Sequence, residues 1–160
     1  LRGGCGLATR RVGDYEVSAA MVANPVGEVI EPQSGRLYGA PGRTPVNAAA
    51  YRALPHPAES KLNTTIGAVL TDAPVTTAQA QRLAMTAHDG IARAVHPAHS
   101  PLDGDTIFAL STAKRPAELS TQVVTQLCAA AADAVEEAIV NAVTAANAGL
   151  GLSAYRDLLD

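Results

Sequence analysis

The sequence predicts a mixed α+β fold, and three stretches predict it. Tyr15–Val22 alternates Val17, Ala19 and Met21 with Glu16, Ser18 and Ala20, the period-two pattern of a half-buried strand. Thr64–Thr71 (TTIGAVLT) is β-branched and apolar, so it reads as a buried strand, and helix-start signals follow at Pro74 and Thr76. From Ser120 or Thr121 an Ala-rich run extends to about Ala146, the length of a core helix. Strands and helices are mixed, with no internal repeat.

The remaining elements follow in chain order. The opening LRGGCG reads as a Gly-rich turn, and Asn24-Pro25 ends the first strand. A short strand is expected at Glu28–Ile30. Residues 31–62 hold five of the ten prolines (Pro32, Pro41, Pro45, Pro55, Pro57) and three glycines, which predicts a linker or long surface loop with a short helix at Val46–Ala53. Thr76 with Gln79 fits a capping box, in which each side chain satisfies a backbone donor of the other residue. Leu83, Ala87, Ile91 and Ala94 then recur at helical spacing to about Val95, with Gly90 as a weak point. Pro97 and Pro101 bracket a loop, Thr106–Ser111 (TIFALS) is a further strand, and the terminal YRDLLD carries no clear signal.

Composition narrows the function classes. The 160 residues suit one domain, and 48% apolar against 17% charged residues is a globular profile. Net charge is −3 with no basic run, and aromatics are only 3%, so neither the cationic face nor the stacking platform of a nucleic-acid binder is present. No uncharged apolar run is long enough to span a membrane; Leu127–Val143 carries Asp133, Glu136 and Glu137. Cys5 and Cys128 do not make a disulfide framework, which points to a reduced, cytoplasmic setting.

Four groups of residues could carry chemistry. In Asn63-Thr64-Thr65 a hydroxyl follows a proline-rich segment and precedes a strand. Thr64 Oγ could attack the Asn63 carbonyl, and hydrolysis of the resulting ester would free the Thr64 amine. With a reference pKa of roughly 7.7–8.0, that amine can accept the proton of its own hydroxyl. The same triplet matches an N-glycosylation acceptor and also a plain strand start. In Asp103-Gly104-Asp105, strand alternation would send two carboxylates to one face as an acid/base pair, while an Asp-Gly turn is the plain alternative. His96 and His99 with those aspartates could ligate a divalent metal, or could simply be hydrogen-bonding surface residues. His88-Asp89 reads as a cap or surface pair, and Cys5 has no identifiable base.

In order, LRGGCG, VANPVG, NTTIGAVLTDA and RLAMTAHDGIARAVHPAHSPLDGDTIFALST resemble the L-aminopeptidase/D-esterase family of self-cleaving N-terminal-nucleophile hydrolases, which includes β-peptidyl aminopeptidases and nylon-oligomer hydrolases. The resemblance is dense from Asn63 to Thr112. It implies cleavage between Asn63 and Thr64, so that 1–63 would end an α-chain and 64–160 would form a β-chain beginning at the Thr64 nucleophile. It implies that Asp103 and Asp105 orient Thr64 and tune its amine, and that Asn24 polarises the reacting carbonyl. The implied fold is part of a four-layer αββα sandwich, with the N-terminal half of the precursor outside this sequence. The implied assembly is a homo-oligomer, a tetramer of αβ units. Small peptides, amino-acid amides or esters, or linear oligoamides are the implied substrates, without cofactor or metal. An acyltransferase of the ornithine acetyltransferase type and an inactive paralogue are the alternatives. Arg2 stands where the family usually has Lys; it cannot act as a base but can still position a carbonyl or carboxylate.

Overall fold

The computed structural model describes residues 1–55 and 63–159. Four strands form one sheet in the order β1-β2-β3-β4, where β1 is Cys5–Val12, β2 Tyr15–Val22, β3 Ile66–Thr71 and β4 Thr106–Ser111. β2 runs antiparallel to both of its neighbours, β1 and β3, and β4 runs parallel to β3. The parallel step requires a crossover, which helix α2 (Thr77–Ala94) supplies. A short helix, α1 (Ala48–Arg52), precedes β3, and α3 (Thr121–Thr144) follows β4.

The helices cover one face of the sheet. Val17, Ala19 and Met21 of β2 and Val69 of β3 point into that layer and are buried. They meet Leu83, Ala87 and Ile91 of α2 and Leu127, Val135, Ala138 and Ile139 of α3 in one core. The capping box on α2 forms as expected: Gln79 N–H donates to Thr76 Oγ1 at 3.3 Å, and Thr76 N–H donates to Gln79 Oε1 at 3.2 Å. Gly90, the weak point of the helical pattern, is the α2–α3 contact. A Cβ there would lie 2.3 Å from the Ala132 carbonyl oxygen, so only glycine lets the helices approach this closely.

The opposite face has no covering layer among the described residues. The register places Leu7, Ala20, Ala68 and Phe108 in one row and Thr9, Ser18, Leu70 and Leu110 in the next. Phe108 is 58% exposed and Leu7 68%, and Val22, Ile66, Leu70 and Leu110 are exposed as well. An apolar sheet face of this extent marks an interaction surface.

Several expectations shift. The opening segment reads as a turn but runs into strand β1. Its helix-facing residues begin with two small ones (Gly6, Ala8) and continue with Arg10, which pairs with Glu137 of α3, so it shows no apolar alternation for a pattern to detect. Glu28–Ile30 is not a strand; Glu28 makes a single bridge to His96, and Ile30 one to Leu37. The segment expected to be a linker contributes Leu37, Val46 and Tyr51 to the core over its described part, while 56–62, including Pro57, lie outside the described residues. The helix expected at Val46–Ala53 is the shorter α1, because the Asn47 side chain caps it by accepting from Ala50 N–H. The terminal segment forms a 3-10 turn, Tyr155–Leu158, whose Tyr155 hydroxyl donates to the Thr44 carbonyl at 2.9 Å.

Candidate active site

Strand directions bring four chain segments to one end of the sheet: β2 ends there, and β1, β3 and β4 begin there. Residues 2–4, 23–26, 63–65 and 103–106 are therefore neighbours. Backbone rungs lock them together: Ala23 N–H to Gly4 O at 2.9 Å, Thr64 N–H to Asn24 O at 2.9 Å, Gly104 N–H to Asn63 O at 3.0 Å, and Thr106 N–H to Thr65 O at 3.0 Å. Asn63 and Asp103 extend the parallel pairing by one bridge beyond the strands.

The Asn63 carbonyl oxygen is the focus of this end. It accepts from the Thr64 hydroxyl at 2.6 Å and from the Gly104 backbone N–H at 3.0 Å. The nucleophile predicted from the sequence thus lies against the carbonyl it would attack, and a fixed dipole already points at the oxygen on which charge would develop. Gly104 makes room for this. A Cβ at that position would sit 3.0 Å from Thr64 Oγ1. The Asn63 side chain is held by donation from Nδ2 to Pro25 O at 3.1 Å.

The two aspartates take separate hydrogen-bond partners. Both precede β4, on the short extension of its pairing with β3. Asp103 accepts from Val26 N–H at 2.9 Å through Oδ1, and from the Ser100 hydroxyl at 2.8 Å and Ser100 N–H at 3.2 Å through Oδ2, which pins the 24–26 segment to the 100–103 turn. Asp105 accepts from Thr65 N–H at 2.8 Å through Oδ1, and its Oδ2 lies 2.8 Å from His99 Nδ1. Neither carboxylate is hydrogen-bonded to the Thr64 hydroxyl; Asp105 acts one residue further on. Asn24 contributes its main-chain carbonyl to Thr64 N–H. The Asn63 oxygen also accepts from Gly104 N–H, a donor that residue types alone do not reveal.

The other candidates separate. Arg2 N–H donates to Ser153 O at 2.8 Å, and its guanidinium lies beside Gly149. The His96 ring packs on Tyr38 with centroids 4.1 Å apart, while His99 turns to Asp105 and packs against His88, so the two histidines face different partners. Among the described residues no group of three or more His, Cys, Asp or Glu side chains is arranged to hold a metal ion. Burial, and secondarily the nearby His99, lowers the His88 pKa and favours its neutral ring. Cys5 is exposed at the start of β1, and Cys128 is buried in α3.

Residues 1–155 match the family model for peptidase family S58. The chain belongs to peptidase family S58. An uncharacterized aminopeptidase of Mycobacterium tuberculosis is 39% identical over 180 aligned positions, covering 99% of this chain and 52% of the relative. A 6-aminohexanoate-oligomer endohydrolase of a Kocuria species is 34% identical over 118 positions, covering 68% of this chain and 33% of that protein. Among solved structures, a Burkholderia β-aminopeptidase superposes with a TM-score of 0.67 at 29% identity, covering 91% of this chain and 42% of that one. The L-aminopeptidase D-Ala-esterase/amidase of Ochrobactrum anthropi, described as a variant of the Ntn hydrolase fold, superposes at 0.66 with 30% identity, covering 90% of this chain and 40% of that one. The S58 chain therefore has the α+β fold expected of it, and it spans about half the length of the first curated relatives it matches. No helix among the described residues is long and apolar enough to cross a membrane.

Proposed function

We propose that the whole protein is a self-processing amide hydrolase in which Thr64 is first the cleaving and then the catalytic nucleophile. The observation that carries this is the Asn63 carbonyl oxygen, held between the Thr64 hydroxyl at 2.6 Å and the Gly104 N–H at 3.0 Å. In self-cleavage, Thr64 Oγ adds to the Asn63 carbonyl carbon while Gly104 N–H stabilises the oxyanion. The Asn63–Thr64 C–N bond breaks, and the proton lost by the hydroxyl ends on the new amine. Water then hydrolyses the ester, leaving an Asn63 carboxylate and a free Thr64 amine. That amine, with a reference pKa of roughly 7.7–8.0, takes the hydroxyl proton when Thr64 attacks a substrate carbonyl. An acyl-enzyme follows, and water releases the product.

On this reading 1–63 and 64–160 become separate α- and β-chain segments. The exposed apolar sheet face packs against the N-terminal half of the same precursor, completing a four-layer αββα sandwich, and the αβ units assemble as a homo-oligomer. The relatives named as aminopeptidases and 6-aminohexanoate-oligomer hydrolases support small peptides, amino-acid amides or esters, and linear oligoamides as substrates. Intact-mass spectrometry of the full-length protein tests the proposal. Two chains divided at Asn63/Thr64 in the wild type, and one chain in Thr64→Ala, are expected; a wild type that remains uncut overturns it.

A further inference from the structure

We propose that His99 is a positioning residue for Thr64, acting through the Asp105 carboxylate. The proposal rests on the reading of Thr64 as nucleophile. His99 Nδ1 lies 2.8 Å from Asp105 Oδ2, and the other oxygen of that carboxylate accepts from Thr65 N–H at 2.8 Å. Thr65 N–H belongs to the peptide unit that leaves Thr64, so its direction sets the orientation of Thr64. His99 Nε2 lies 3.4 Å from the His88 carbonyl oxygen, near the middle of α2. A line of polar contacts thus runs from α2 through His99 and Asp105 to the start of β3.

Burial makes the second partner of Asp105 matter. Its side chain is 5% exposed, against 38% for His99. Without the imidazole, one carboxylate oxygen would lose a partner that water cannot easily replace. The carboxylate would then be free to turn away from Thr65 N–H. The backbone is committed to this placement as well. His99 has φ 54°, a left-handed conformation uncommon outside glycine but one in which asparagine, aspartate and histidine are enriched. Asp105 itself lies between Gly104 and Thr106, whose N–H groups bond Asn63 O and Thr65 O. A rotated carboxylate would therefore disturb Thr64 through the Thr65 peptide.

The test uses the full-length precursor and follows self-cleavage by intact mass over time, with a urea midpoint for each variant. His99→Gly keeps the left-handed backbone and removes the ring. His99→Asn keeps the backbone tolerance and offers a side-chain amide N–H in place of Nδ1. His99→Gly should slow cleavage by about tenfold or more, as expected for a displaced nucleophile, and His99→Asn should restore most of the rate. Cleavage of His99→Gly at the wild-type rate overturns the proposal. So does a rate for His99→Asn as low as that of His99→Gly while its urea midpoint matches the wild type. Thr64→Ala, run in parallel, separates the two claims: if it still cleaves, the nucleophile reading falls; if it is inert while His99→Gly is normal, only the role of His99 falls.

Discussion

Gly104→Ala isolates the geometry of the attack. Gly104 lies outside the left-handed region, so alanine adds no backbone strain there, and its N–H remains in place to bond Asn63 O. What changes is one contact. The new Cβ would sit 3.0 Å from Thr64 Oγ1, while the next nearest atoms, Asn63 O and Thr64 Cγ2, stand at an ordinary 3.8 Å. The hydroxyl must give way by a few tenths of an ångström or rotate off the carbonyl. A misplacement of about 1 Å costs roughly 10²-fold in rate, so this smaller shift should slow self-cleavage by about tenfold, close to 1.4 kcal/mol of barrier. The assay is the loss of full-length precursor by intact mass over time. Wild-type cleavage by a Gly104→Ala protein with an unchanged urea midpoint would refute the reasoning, because it would mean that the hydroxyl does not react from the position it occupies here.

Two predictions concern packing. Phe108→Glu in the full-length protein should lower unfolding free energy by about 2 kcal/mol or more, since a carboxylate would be buried against the N-terminal half; a change within about 0.5 kcal/mol by urea denaturation would show that this face meets solvent. Gly90→Ala should destabilise by about 1–2 kcal/mol, because overpacking against the Ala132 carbonyl outweighs the helix-propensity gain of about 1 kcal/mol. A rise in the urea midpoint would instead mean that α2 and α3 do not cross closely at Gly90.

The parts of the fold that can be read from the chain are those whose burial follows a period. β2 announces itself through Val17, Ala19 and Met21, and α2 through its capping box and the run Leu83, Ala87, Ile91, Ala94, because each buries one continuous stripe. β1 stays hidden because Gly6 and Ala8 pack by being small. The proline-rich segment looks like a linker because Leu37, Val46 and Tyr51 are spaced by tertiary packing and not by any local repeat. At the site, Thr64 and Asn63 are legible from order and residue type. The partners of Asp103 and Asp105 are not, since both residues precede the strand and their directions depend on the 24–26 and 99–100 segments.

By itself the sequence determined the α+β class and the resemblance to a self-cleaving hydrolase family, and it singled out the Asn63-Thr64 pair as a candidate, because these depend on local periodicity and on residue types in order. Only the tertiary structure decided what surrounds that junction. The Gly104 hydrogen bond to the Asn63 oxygen comes from a backbone N–H, which every residue but proline carries and no residue name advertises. Asp105 serves Thr65 and His99 and not the Thr64 hydroxyl, because a carboxylate takes the donors that the folded chain brings within reach.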